Sequence, residues 1–310
     1  MYPHERIYIM RHCSFTESGD PIILGVLKES TVEDTLQQIK NCEAAGATAF
    51  NLHLSLLNEE SRQPEALKKI FAAANSPIMA VHYNNNPKGV ERKDPDEMRM
   101  EEEVRAVECG AAGIDMQGYT FCADTRATLT QFGDPEKHPF ITANPKEVCL
   151  DPEVIEKQKR IIERVHKLGG EVLMSCHTGV FLTTEQIVAM AKVMEERGVD
   201  FIKMVTPIDK DKGDILTALQ SVRALKKELH TKFSYHCSGR LGRITRYVGP
   251  YFGSSQVFAM DYYNAYADKE QLLISKFLDF YNEVKAPETK AEWMQILEER
   301  KAAAKAAENK

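Results

Sequence analysis

The chain has 310 residues, of which 43% are hydrophobic and 28% charged, with 46 acidic side chains against 40 Lys and Arg for a net charge of −6. That balance leaves no basic footprint for nucleic acid or for an anionic membrane surface. No apolar run approaches the roughly 20 residues that a membrane-spanning helix needs, so the composition is that of an ordinary globular protein.

In chain order, short apolar runs rich in β-formers alternate with longer stretches of helical period. A strand is expected over 22–27. The helix after it opens on Ser30-Thr-Val-Glu33, a capping-box pattern in which side chains satisfy free amides of the first turn, and it stops at Gly46. Strands follow at 49–56 and 77–83, then a helix ending at Gly110 and a strand at 113–119. Residues 118–150, rich in Pro, Thr and Asp, break the rhythm and are expected to form a long inserted loop that acts as a lid. The repeat resumes at 171–177 after Gly170, with a second capping box at Thr183-Thr-Glu-Gln186, a stop at Gly198, and strands at 199–206, 233–238 and 255–261.

Eight β-runs with helices between them imply a parallel sheet with right-handed crossovers, closed on itself. The expected fold is therefore α/β, a (β/α)8 TIM barrel formed as a single domain over residues 1–285 with a long insertion after the fourth strand. No Gly-x-Gly-x-x-Gly follows the first strand, which argues against a doubly wound dinucleotide fold. Residues 286–310 are charged and alanine-rich; they read as a helical tail, either solvated or a contact in a homodimer. Seven cysteines at 13, 42, 109, 122, 149, 176 and 237 form no Cys-x-x-Cys pair. With no secretory pattern at the N-terminus, the expectation is a reduced, cytoplasmic protein without a cysteine metal site or a cofactor.

Alternate residues of a strand share a face. Asn51, His53 and Ser55 then share one face of the second strand, Ala80, His82 and Asn84 one of the third, Asp115 and Gln117 one of the fourth. Ser175 and His177 pair in the fifth, Phe201, Lys203 and Val205 in the sixth, Ser234, His236 and Ser238 in the seventh. The apolar sets must meet the helices, so these sets are expected to face the barrel interior near the C-terminal strand ends, where barrel enzymes hold their reactive groups. One interior histidine is ordinarily a satisfied core residue. Four of them (His53, His82, His177, His236) with Lys203 in their midst each demand a partner, and point to a pocket.

Three stretches, VLMSCHTGVFLTT, GVDFIKMVTP and GRITRYVGPYFGSSQVFA, carry a resemblance to type I 3-dehydroquinate dehydratases, the Schiff-base enzymes of the shikimate pathway. The resemblance implies a (β/α)8 barrel, Lys203 as the imine-forming lysine, His177 as the proton-transfer histidine, and Arg246 as the residue that grips the substrate. Ser254 lies in the family's Phe-Gly-Ser stretch and is carried over as substrate-binding. Other positions depart from the family pattern. The second strand has Asn51-Leu-His53-Leu-Ser55 in place of Glu-x-Arg-x-Asp. His82 stands where an arginine ends the third strand, Asp115-Met-Gln117 replaces Asp-x-Glu, and His236 replaces a methionine. Asn51, His53, His82, Gln117 and His236 are therefore expected to line an altered substrate shell for a small-molecule ketone other than the usual one.

An apolar surround of Phe201, Met204 and Val205 would favour the neutral, nucleophilic amine of Lys203. A ketone bound as an iminium acidifies the adjacent C–H, and a histidine suits the proton it releases. Two other readings stay open. One is a metal-dependent keto-acid lyase that uses His53, His82 and His236 as ligands. The other is a non-catalytic, ligand-sensing barrel of the same build.

Overall fold

The computed structural model describes residues 14–18, 21–83, 94–122, 148–178, 181–208, 213–264, 270–284 and 289–308. Strands β1 (Ile22–Leu27), β2 (Ala49–His53), β3 (Ile78–Val81), β4 (Gly113–Gln117), β5 (Glu171–His177), β6 (Phe201–Pro207), β7 (Lys232–Ser238) and β8 (Gln256–Met260) pair in parallel with their sequence neighbours, and β1 pairs with β8. A two-residue strand β9 (Leu272–Leu273) adds to β8. The remaining seam, β7 against β8, is closed by Ser255. Its backbone N–H and its hydroxyl both donate to the Phe233 carbonyl, each at 2.8 Å.

Helices α1 (Val32–Ala45), α2 (Pro64–Phe71), α3 (Asp96–Glu108), α4 (Pro152–Lys167), α5 (Thr184–Glu195), α6 (Gly213–Glu228), α7 (Arg243–Phe252) and α8 (Ile274–Val284) lie between and after the strands. Their ends follow local chemistry. Thr183 and Gln186 form the expected reciprocal capping box. At α1 the cap is Thr31, whose hydroxyl accepts from the Asp34 amide, one residue later than the Ser30–Glu33 spacing suggested. Gly46 closes that helix at φ +101°, in the left-handed region where a side chain would be strained. The helix α9 (Lys290–Glu308) occupies the tail and leaves Trp293, Met294 and Leu297 exposed. Among the described residues, no helix is long and apolar enough to cross a membrane.

Two apolar layers hold the barrel. Phe50, Leu52, Ile114, Met174, Ile202 and Met204 belong to the layer between sheet and helices. Leu24, Met79, Leu173, Phe201, Phe258 and Met260 fill the interior. Phe15 plugs the floor, packed edge-on against Phe201 at 6.4 Å and anchored by its amide to the Glu171 carboxylate at 2.7 Å.

This layering corrects the phase expected for β3. Met79 is interior, whereas Ile78 and Ala80 join the outer layer, so His82 points outward and Tyr83 follows the interior face. Asn84 and most of the inserted segment expected to be a lid, residues 123–147, lie outside the described residues. The two ends of that segment are tied together. The Cys149 amide donates to the Gly118 carbonyl at 2.9 Å, and the buried Arg197 guanidinium donates to the carbonyls of both Gly118 and Cys149.

Candidate active site

Ladder register sets Lys203 beside Ser175 of β5 and Ser234 of β7, at mid-strand on the interior face. The lysine is only 7% exposed, so its head group requires partners. It has them. Nζ lies 2.9 Å from the Tyr83 hydroxyl and 3.3 Å from Asp115 Oδ2, and 4.4 Å from the centre of the Phe258 ring. Tyr83 donates in turn to Asp115 Oδ2 at 2.5 Å and sits 3.2 Å from Ser175 Oγ. The surround of the amine is thus an aromatic–carboxylate cage. Met204, expected to contribute, faces the helices instead.

The ring of Tyr83 organises the histidines. It meets His177 edge-on at 5.6 Å and His53 edge-on at 5.9 Å. Burial, then the nearby cations Lys203 and Arg246, hold the His177 imidazole well below its ordinary value of 6.5. Burial, Lys28 and Lys203 do the same at His53. At His236, burial is followed by Arg246, Lys203 and His177. All three rings are therefore neutral at pH 7, able to accept a proton, and poor at holding one.

The other expected residues divide. Arg246, in the first turn of α7, lines a small cavity with His236, Thr245, Ser254, Gln256 and Phe258. Its charge reaches His177 as well, so it belongs with the pocket. Ser254 lines the same cavity but precedes β8, at the end of that strand away from the C-terminal mouth. It accepts from the Tyr235 amide at 3.4 Å, a placement at the β7–β8 seam. Asn51 is buried on the interior face of β2, in register with Val26 and Met79. Gln117 accepts from Arg99 of α3 at 3.3 Å.

His82 is not at the pocket. It is fully buried on the outer side of β3, with Nδ1 2.9 Å from Glu102 and Nε2 3.3 Å from Asp94. Its carbonyl accepts from Arg99 at 2.5 Å and its amide donates to Glu103 at 2.6 Å. The set His53, His82 and His236 therefore does not converge. No group of three or more His, Cys, Asp or Glu side chains forms a metal site among the described residues.

Residues not singled out from the sequence complete the pocket: Tyr83, Phe258 and Lys28, with the expected Ser175 beside the Tyr83 hydroxyl and Asp115 now in contact with the lysine. Strand alternation applied to β7 and β8 would have located Phe258, and a correct phase for β3 would have located Tyr83. Lys28 is buried just beyond β1, and its charge acts on His53.

Fold and site together define a class, a closed parallel barrel that carries a buried lysine among neutral histidines. A family model described as type I 3-dehydroquinase matches residues 142–286, which supply β5 to β8, both Lys203 and His177, and Arg246. Over 117 residues the chain is 31% identical to the 3-dehydroquinate dehydratase of Alkaliphilus oremlandii (strain OhILAs), a match that covers 36% of this chain and 44% of the relative. Among solved structures, the fold is similar to type I 3-dehydroquinate dehydratase from Clostridium difficile, with covalently modified comenic acid, at 15% identity and TM-score 0.66 over 86% of this chain and 93% of that one. The enzyme from Geobacillus kaustophilus HTA426 is similar at the same identity and TM-score, over 86% of this chain and 91% of that one. The curated relative is matched over less than half of its length.

Proposed function

We propose that this protein is a hydro-lyase that dehydrates a cyclic or polyhydroxylated ketone through an imine on Lys203, with His177 as the base and acid at the substrate carbons. The observation that carries the reading is a lysine 7% exposed at the heart of a barrel, with a neutral imidazole one ring away across Tyr83. The neutral amine forms a C–N bond to the ketone carbon, and the resulting carbinolamine takes up one proton and loses water, giving an iminium. That electron sink acidifies the adjacent C–H. His177, kept neutral by burial and by the neighbouring cations, takes the proton and leaves an enamine. The enamine expels the β-hydroxyl, which departs as water with the proton from His177. Water then cleaves the imine to release the enone and restore Lys203.

The type I relatives are named for 3-dehydroquinate, and one was crystallised with a covalently modified ligand, which supports a reactive nucleophile in this family of sites. Two positions argue for a different or less anionic substrate here. His53 stands at the mouth where the resemblance leads one to expect arginine, and the mouth-facing residue after β3 is Tyr83. Imidazole and phenol do not reproduce the bidentate fork that arginine offers a carboxylate. Among the described residues, Arg246 and Lys28 are cations close to His177 and His53 respectively. The carbon–oxygen lyase reading is tested by mixing the protein with 3-dehydroquinate and a panel of hydroxy ketones in cyanoborohydride. A reduced adduct on the peptide that holds Lys203, absent in Lys203→Ala, is expected. An adduct that survives Lys203→Ala, or none with any ketone that is turned over, overturns it. With 3-dehydroquinate itself, kcat/KM is expected below the ~10⁴ M⁻¹s⁻¹ at which ordinary enzymes begin.

A further inference from the structure

We infer that Tyr83 is the acid–base group for making and breaking the imine, relaying protons between Lys203 and Asp115, so that His177 serves the carbon centre alone. The inference rests on the lysine reading above and assigns a separate group to its nitrogen chemistry.

The geometry is that of a three-member relay. The Tyr83 hydroxyl accepts from Lys203 Nζ at 2.9 Å and donates to Asp115 Oδ2 at 2.5 Å. The direct contact from Nζ to that carboxylate is longer, 3.3 Å. Any carbonyl carbon bonded to Nζ brings its oxygen within reach of the same phenol. His177 meets Tyr83 through ring edges, so the imidazole is not on the path from nitrogen to carboxylate. Asp115 is 1% exposed, and its Oδ1 meets no protein donor among the described residues. The carboxylate therefore stands at the end of the hydrogen-bonded path from Nζ, next to the phenol that would hand it a proton. Burial and Asp115 also push the phenol well above its ordinary value, so Tyr83 rests as the protonated member and passes protons on without storing the charge.

The steps balance. The Lys203 ammonium gives a proton to the Tyr83 oxygen while the phenol gives its own to Asp115, leaving a neutral amine and a carboxylic acid. The Nζ lone pair forms the C–N bond as the carbonyl π pair moves to oxygen. That oxygen takes the phenol proton, and Asp115 reprotonates Tyr83. The nitrogen then returns one proton along the same path to Asp115. The relay delivers it to the carbinolamine hydroxyl, the C–O bond breaks, water leaves, and the nitrogen pair closes the C=N bond. Ammonium and ketone have become iminium and water, and Tyr83 and Asp115 are unchanged. Hydrolysis runs the sequence in reverse.

Tyr83→Phe keeps the ring against His177 and His53 and removes only the hydroxyl. In single-turnover mixing with 3-dehydroquinate and a panel of polyhydroxylated ketones in cyanoborohydride, adduct on the Lys203 peptide is followed by mass against time. The trapping rate is expected to fall about 10²- to 10⁴-fold, the usual worth of a positioned acid–base group. Asp115→Asn is expected to slow trapping similarly, and the double variant to be no slower than the worse single, because the two act as one unit. If the wild type gives no adduct with any ketone, the lysine reading fails and the relay with it. If the wild type traps and folded Tyr83→Phe traps within threefold of it, the relay alone is overturned and Tyr83 only packs. Should Tyr83→Phe not fold, as judged by its unfolding midpoint, the same threefold criterion applied to Asp115→Asn decides.

Discussion

The three depressed imidazoles make stability fall in mild acid, and the size of the effect can be worked out. His53, His177 and His236 all sit well below 6.5 in the folded protein, and burial is the first cause at each. In the unfolded chain each binds a proton as pH drops through 6.5; in the fold it does not. The unfolded state therefore holds more protons below 6.5, and folding loses about 1.4 kcal/mol per pH unit for each such group until the folded value is reached. His236 is buried and counts fully. His53 and His177 are half-buried at the mouth, and solvent screening reduces their share. The slope is thus expected between about 1.4 and 4 kcal/mol per pH unit below 6.5, against a typical total stability of about 5–15 kcal/mol. His166 runs the other way. Its bond to Asp200 raises it, so its contribution is present below 6.5 and lost only as pH rises above that value. Urea unfolding at pH 7.5, 6.0 and 5.5, with and without His236→Gln, measures the slope. The substitution should flatten it by about 1.4 kcal/mol per pH unit. A stability that is flat or rising from pH 7.5 to 5.5, or a slope indifferent to His236→Gln, would refute the reasoning.

Three further outcomes are expected. A Cβ at Gly113 would lie 2.3 Å from the Glu171 carbonyl of the paired strand, so Gly113→Ala must part β4 from β5 and should cost at or above the ~1–3 kcal/mol of ordinary overpacking, read by denaturant melts. His82→Leu removes the imidazole that lies 2.9 Å from Glu102 and 3.3 Å from Asp94, and should destabilise by about 1–3 kcal/mol while leaving KM within a fewfold, because the ring faces α3. A large rise in KM at full stability would return His82 to the pocket. Arg246→Gln removes a cation beside His177 and His236, so the acid limb of the pH–rate profile should move to higher pH. If Arg246 also holds a substrate anion, loss of a charge-assisted bond of ~1.5–3 kcal/mol should raise KM roughly 10- to 100-fold.

The order of the eight barrel strands was legible from the chain, though the two-residue β9 was not, because residues that local physics assigns to caps mark the helices between β-runs: Gly46 at the end of α1, the Thr183–Gln186 box at the start of α5. The interior placement of Asn51, His53, Asp115, Lys203 and His236 was legible too, since in those strands a polar residue marks the phase. β3 had no such mark. Ile78, Met79, Ala80 and Val81 are all buried, as befits a parallel strand covered on both faces, and an unbroken apolar run carries no period from which to read its sides. Reading His82 as the marker inverted the strand, because a buried histidine can sit beside carboxylates behind the sheet as readily as in a pocket in front of it. Only tertiary structure supplied Asp94 and Glu102, and with them the choice. The same holds for the lysine. Its apolar strand announced a buried amine, but the groups that make the amine chemically useful, Tyr83, Asp115 and Phe258, come from β3, β4 and β8. They meet it through the closure of the barrel, a contact between residues up to 120 positions apart that no local pattern encodes.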